Sequence, residues 1–200
     1  MKNVLILGAT GGIGHWVAEF LKEYPDFHQT VYVRNPQKLD ASVAETAAVL
    51  VGDMADTVSL EQAMQGQEIV VAALSGDWLG HAKAIAAAAK KTGVSRLIWV
   101  TGLGIHREVP GETGKILEYY VNRFPEYIQA ADTIAASGIP YTLVRTANLM
   151  NGANQVYYVQ HEGEPVHAET VDRCAVARFI VDMLTGHSED GVNASLGITN

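Results

Sequence analysis

A doubly wound α/β fold built on a parallel sheet, in a single domain, is what this chain predicts, and three observations carry the prediction. Apolar, β-rich runs alternate with helical patterns along the sequence. The runs are continuously apolar, as strands covered on both faces are. Gly8, Gly11, Gly12 and Gly14 crowd the joint between the first run and the first helical pattern, although a glycine inside a regular element costs about 0.5–1 kcal/mol relative to alanine.

The elements follow in order. Val4 to Leu7 reads as the first strand and Ile13 to Glu23 as the first helix. Strands are next expected at Thr30 to Val33 and Ala47 to Val51, followed by a short helix at Ser59 to Met64. The run Glu68 to Leu74 gives a fourth strand and Gly80 to Thr92 the helix after it, closed by Lys90, Lys91 and Gly93. Arg96 to Val100 is the fifth strand, Gly114 to Arg123 and Glu126 to Ser137 are helices, and Gly138-Ile139-Pro140 stops the second of them. Tyr141 to Val144 is the sixth strand, and a last helix is expected over Asp172 to Thr185. About fifty residues follow the sixth strand, a short C-terminal extension too small for a separate substrate domain.

Composition limits the function. The chain has 200 residues, 48% of them hydrophobic, enough for one domain with a sizeable core. The formal charge of −8 argues against broad nucleic-acid binding, which needs clustered cations. A single cysteine, Cys174, gives no disulfide and no zinc pair, so the cytoplasm is the expected compartment. No apolar run reaches the about 20 residues that span a bilayer, and no membrane role is expected. His15, His81, His161 and His167 share no spacing that would build a metal site, and none is assigned.

An anionic ligand must then be met locally, and the glycines supply the means. Gly8, Gly11 and Gly14 follow the first strand and open the first helix, the setting in which a dinucleotide fingerprint acts. Gly8 permits the tight turn, Gly11 with Gly12 lets backbone approach a pyrophosphate, and Gly14 lets helix and strand pack closely. Thr10 and Ile13 lie in the same loop. The phosphates would sit on free N–H groups at the helix N-terminus.

Arg34 ends the second strand about twenty residues after Gly14, where an acid would grip the ribose hydroxyls of NAD and an arginine accepts a 2′-phosphate. Arg34 therefore points to NADP(H). Lys38 either adds to that charge or opens the next turn in solvent. Gly52-Asp53 is equally a ligand-facing strand exit and an ordinary turn.

GATGGIG, Arg34, GDMAD (Gly52 to Asp56), TGLGI (Thr101 to Ile105) and ASGIPYTLVR (Ala136 to Arg145) together resemble the atypical short-chain dehydrogenase/reductase superfamily, specifically its NmrA-like, NAD(P)H-binding branch. The resemblance covers nearly the whole chain and implies a Rossmann-like fold. It implies that Asp53 and Met54 lie beside adenine, that Ala73, Leu74, Ser75 and Gly76 line the cofactor, and that Thr101, Gly102 and Leu103 face the nicotinamide. Arg145 matches the arginine of the family's T-I-x-R-P segment, with Thr146 in place of the proline.

The wider superfamily transfers protons with a Ser or Thr after the fifth strand and a Tyr-x-x-x-Lys pair. Here the lysine is missing, and the nearest match is Tyr119-x-x-x-Arg123, which places both on one helix face. Thr101, Tyr119 and His106 are the candidate catalytic residues, Thr101 to polarise an acceptor and His106, Tyr119 or solvent to supply the proton. Two functions follow: an NADPH-dependent reductase of a small carbonyl, quinone or flavin-like acceptor, or an NADP(H)-binding redox sensor acting through a protein partner. The loop aromatics and Met150 form a small lid or a homodimer surface.

Overall fold

The computed structural model describes residues 1–166, 169–188 and 191–200, so His167 lies outside the described residues. Strand β1 (Lys2–Leu7) leads through the glycine loop into α1 (Gly12–Leu21), then β2 (Phe27–Val33), a short helix α2 (Ala41–Thr46) and β3 (Ala48–Val51). α3 (Thr57–Met64), β4 (Ile69–Ala72), α4 (Trp78–Thr92) and β5 (Arg96–Gly102) continue the alternation. α5 (Gly111–Arg123) and α6 (Glu126–Ala135) precede β6 (Tyr141–Thr146) and β7 (Asn148–Met150). The chain closes with β8 (Tyr158–Gln160), β9 (Thr170–Asp172), α7 (Arg173–Thr185) and β10 (Ala194–Thr199).

The main sheet runs β3-β2-β1-β4-β5-β6-β10-β8. Its pairings are parallel except β10 with β8, which is antiparallel. The strand order reverses between β1 and β4, and in open α/β sheets the crevice beyond that reversal is where ligands bind.

The double cover explains the unbroken apolar runs. Val4, Leu5, Ile6 and Leu7 are all 0% exposed, because successive residues point to opposite faces and both faces are packed. Val4 and Ile6 join Val17 of α1 and Ile180 of α7 in one core layer. Leu5 and Leu7 join Leu60 of α3, Ile85 of α4 and Ile134 of α6 in the other. Each such side chain contributes about 1.5–3 kcal/mol on burial. α4 ends at Gly93 with φ 77° and α7 at Gly186 with φ 83°, the left-handed geometry a glycine stop provides.

Six strands and six helices lie where the sequence places them, within a few residues at their ends. The C-terminal extension holds more sheet than expected. β10 adds a parallel strand beside β6, β8 covers its far edge, and β7 pairs with β9 in a separate two-stranded ribbon. No helix among the described residues is long and apolar enough to cross a membrane.

Candidate functional site

The turn between β1 and α1 is shaped by absent side chains. Gly8 has φ +95°, and a Cβ there would collide with the Ala73 carbonyl at the end of β4. A Cβ on Gly14 would overlap the Gly8 backbone. Gly11 donates its N–H to the Gly8 carbonyl at 2.8 Å, and its own Cβ position lies 3.2 Å from that oxygen, tight yet open toward the groove. The glycines hold strand, turn and helix together with backbone at the surface.

Helix caps differ along the chain in a telling way. Asp40, Asp56 and Asp77 cap α2, α3 and α4 through their carboxylates. α1 has Gly11 at its N-cap, with no side-chain cap and no acid in its first turn. Its first N–H groups have no intrahelical partner, and with the positive end of the helix dipole they form an anion cradle.

One groove runs from this cradle past the carboxyl ends of β2 and β3. It is lined by Gly8, Thr10, Gly11, Arg34, Gly52, Asp53, Met54, Ala73, Leu74, Ser75 and Gly76, bringing together eleven of the residues that the sequence reading placed at the cofactor. Thr10, Arg34, Asn35 and Lys38 line an adjoining recess. Among the described residues neither Arg34 nor Lys38 takes part in an ion pair. Tyr32 fastens the floor, its hydroxyl donating to the Asp53 carbonyl at 3.0 Å and accepting from Ser59 Oγ at 3.0 Å. Asp53 also makes the turn that its sequence context suggests, accepting the Ala55 N–H at 2.9 Å. His81 closes the opposite wall and was not foreseen as a groove residue. Burial holds its imidazole below the usual histidine value, opposed by Asp77 and Asp53 and aided by Arg34.

A second chamber continues the groove past the cradle. Gly11, Gly12, Ile13, Ala73, Leu74 and Ser75 line it together with Trp78, Thr101, Tyr127, Thr146 and Arg173. Thr101 is 4% exposed at the carboxyl end of β5, and its Oγ1 is buried without a hydrogen-bond partner. Tyr127 stands beside it. Burial pushes the Tyr127 phenol up, and the nearby Thr101 hydroxyl opposes part of that shift without completing a hydrogen bond. Gly102 makes room, since a Cβ there would lie 2.8 Å from the Tyr127 hydroxyl. Arg173 crosses Gly12, donating from Nη1 to the Leu149 carbonyl at 3.2 Å and to Asn151 Oδ1 at 2.6 Å. It sets a cation beside a phosphate cradle that the sequence reading left to backbone alone.

Trp78, Tyr127 and Thr146 are shared with an apolar cavity of about 300 Å³. Gly102 and Leu103 line it, and the inner face of α5 closes it with Leu117, Tyr120, Val121 and Phe124. The cavity is thus walled by α5, whose apolar residues fall together on one helical face.

Two candidate catalytic residues lie elsewhere. Tyr119 is 68% exposed, packs edge-on against Tyr120 and is absent from the lining of both chambers and the apolar cavity. Arg123 lies over the Phe124 ring, and Lys115 pairs with Glu112 in solvent, so no dyad forms there. The loop after β5 folds back over the sheet, and His106 Nε2 meets Ser195 Oγ of β10 at 2.8 Å instead of facing the chambers. Arg145, 1% exposed, is paired with Glu108 and donates to the Ser195 carbonyl at 3.2 Å, a buried anchor for the same loop. Cys174 is buried, and burial beside Asp172 pushes its thiol up. No cluster able to hold a metal occurs among the described residues.

An uncapped, glycine-lined helix at the sheet's reversal point, followed by a groove with arginine and lysine side chains at one end and a buried, unpartnered threonine hydroxyl at the other, defines a Rossmann-type dinucleotide-binding protein. The chain belongs to the NAD(P)H-binding family, matching it over residues 8–187, and its cofactor is a nicotinamide dinucleotide. It is 36% identical to a Rossmann-fold NAD(P)-binding family protein from Shigella flexneri, with a TM-score of 0.84 and coverage of 100% of this chain and 94% of that one. A short-chain dehydrogenase/reductase from Veillonella parvula, solved in complex with NADP, is 26% identical, with a TM-score of 0.86 and coverage of 100% and 94%. Quinone oxidoreductase 2 of Escherichia coli is 31% identical over 146 residues, 71% of this chain and 47% of that protein, so the match spans about half the length of that relative. These findings agree with the superfamily resemblance.

Proposed function

We propose that the protein is an NADPH-dependent reductase of a small apolar carbonyl or quinone acceptor. One observation carries the reading: the cofactor groove and the apolar cavity meet at Trp78, Tyr127 and Thr146, beside a buried Thr101 hydroxyl that lacks a partner. A buried hydroxyl left unsatisfied costs about 1–3 kcal/mol, a cost that an acceptor oxygen would remove. The names of the Veillonella and Escherichia coli relatives support the cofactor and the acceptor class respectively.

The cofactor, when bound, supplies hydride. The first turn of α1 and Arg173 hold its phosphates, and Arg34 with Lys38 and Thr10 receive a 2′-phosphate, favouring NADP(H) over NAD(H). Thr101 Oγ1 donates to the acceptor oxygen and polarises it. Tyr127 is the proton donor, a role the sequence reading gave to solvent, His106 or Tyr119. Its buried phenol stays protonated until pH is high, so it is loaded for donation at neutral pH. The walls of α5 exclude water around the acceptor.

The test is NADPH oxidation measured over quinones, aldehydes, ketones and flavins beside a calorimetric cofactor titration. Turnover of a quinone or carbonyl is expected. Tight NADPH binding with no turnover of any acceptor would replace this reading with the redox sensor.

A further inference from the structure

We propose that Glu169 makes the apolar cavity selective for flat, uncharged acceptors and turns anionic ones away. The inference rests on the reductase reading and concerns which acceptors that site takes. The cavity, at about 300 Å³, sits at the small end of the about 300–1,000 Å³ range of ligand pockets. It suits one small fused-ring molecule rather than an extended chain of rings.

The lining offers ring faces and edges from Trp78, Tyr120, Phe124 and Tyr127. Trp78 and Tyr127 are already set edge to face, with centroids 4.9 Å apart. Such surfaces favour planar aromatic guests through offset or edge contacts. Among the described residues of this lining Glu169 is the only charged side chain, and among the described residues it takes part in no salt bridge. Its Oε1 accepts a hydrogen bond from Thr113 Oγ1 of α5 at 2.9 Å, which ties the carboxylate to the cavity wall. A guest carrying a sulfonate or carboxylate would bring a second negative charge beside it, while a neutral guest brings none to a lining that is otherwise mostly apolar. Like-charge placement of this kind is how a site rejects a competitor of the same shape. At a partly solvated rim the penalty amounts to about tenfold in affinity.

The experiment titrates the cofactor-free protein with 1,4-naphthoquinone and with 1,4-naphthoquinone-2-sulfonate, reading tryptophan fluorescence quenching, and then compares kcat/KM for the two with NADPH. The neutral quinone should bind about tenfold more tightly than the sulfonate, with a matching ratio in kcat/KM. Glu169→Gln keeps the oxygen that Thr113 needs and should bring the ratio close to one. Glu169→Lys should favour the sulfonate, and added salt should shrink the wild-type ratio. Equal binding of the two quinones by the wild type, or a ratio unchanged in Glu169→Gln, overturns the selectivity and leaves the reductase reading standing. If neither quinone quenches or is reduced, the quinone reading falls and the selectivity with it.

Discussion

The two ends of the groove are made of different material. The phosphate end is backbone: Gly8 and Gly14 are packed so closely that no side chain fits, and α1 offers uncapped N–H groups. The proposed acceptor end is side chain: Thr101 from β5, Tyr127 from α6, Trp78 from α4 and the inner face of α5 converge from four elements. Backbone recognition is rigid and the same for any dinucleotide, so it fixes where the cofactor lies. Side-chain recognition sets what is done there, and it varies without disturbing the fold.

Substitutions at the two ends should therefore fail in different ways. The largest effect is expected at Gly14. A Cβ there meets the Gly8 backbone, which has no rotamer to yield. Gly14→Ala should destabilise the fold by about 3 kcal/mol, the upper range for overpacking, lowering Tm by about 6–12 °C for a chain of this size. An unchanged melting curve would show that the turn is looser than described.

Gly11→Val separates folding from binding. The Gly11 backbone has φ −96°, which any residue adopts, and its Cβ contact with the Gly8 carbonyl at 3.2 Å is milder than the 2.3 Å overlap at Gly14, but valine would stand in the anion cradle. Calorimetry should find NADPH affinity lowered by at least about a hundredfold, corresponding to about 2.7 kcal/mol, with Tm little altered. Wild-type affinity in this variant would remove the phosphate assignment.

Arg34→Asp tests the adenosine side. Each charge-assisted hydrogen bond contributes about 1.5–3 kcal/mol, so wild type should prefer NADPH over NADH by about tenfold to a hundredfold. The variant should reverse that order by removing the phosphate partner and offering a carboxylate to the ribose. Dissociation constants for both cofactors at one ionic strength decide it, and equal wild-type affinities would contradict the role given to Arg34.

The smallest effect concerns pH. Because burial raises Tyr127 above the ordinary tyrosine value of about 10, the proton donor stays loaded as pH rises, and kcat should be flat between about pH 7 and 9. A basic limb within that window would mean that another group donates the proton.

The contrast between the two ends also explains what the sequence revealed. Glycine spacing and an arginine at a strand end are local signals, and they single out Gly8, Gly11, Gly12 and Arg34, while the family resemblance adds Asp53 and Ala73 to Ser75, all of which line the groove and its continuation. Tyr127 and Arg173 carry no local motif, because their placement depends on where β5 ends and how α7 crosses Gly12. Tyr119 was drawn in by its spacing to Arg123, yet a stronger periodic signal was present. Leu117, Val121 and Phe124 form an i, i+4, i+7 stripe on α5, and that stripe turns Tyr119 outward. β10 escaped notice because ASLGIT is short, half polar and broken by Gly197, which admits Leu103 and Gln160 against the strand. Its burial comes from neighbours distant in sequence.

The measurement closest to the central claim is a paired one on Tyr127→Phe: the calorimetric Kd for NADPH and the single-turnover rate of NADPH oxidation by 1,4-naphthoquinone. A group that acts at the acceptor end and leaves the backbone cradle alone predicts a Kd within about twofold of wild type and a rate lowered by about a hundredfold, the usual scale of general acid catalysis. A wild-type rate, or a loss of cofactor affinity as large as the loss of rate, would contradict the division of the groove into a backbone end that binds and a side-chain end that reacts.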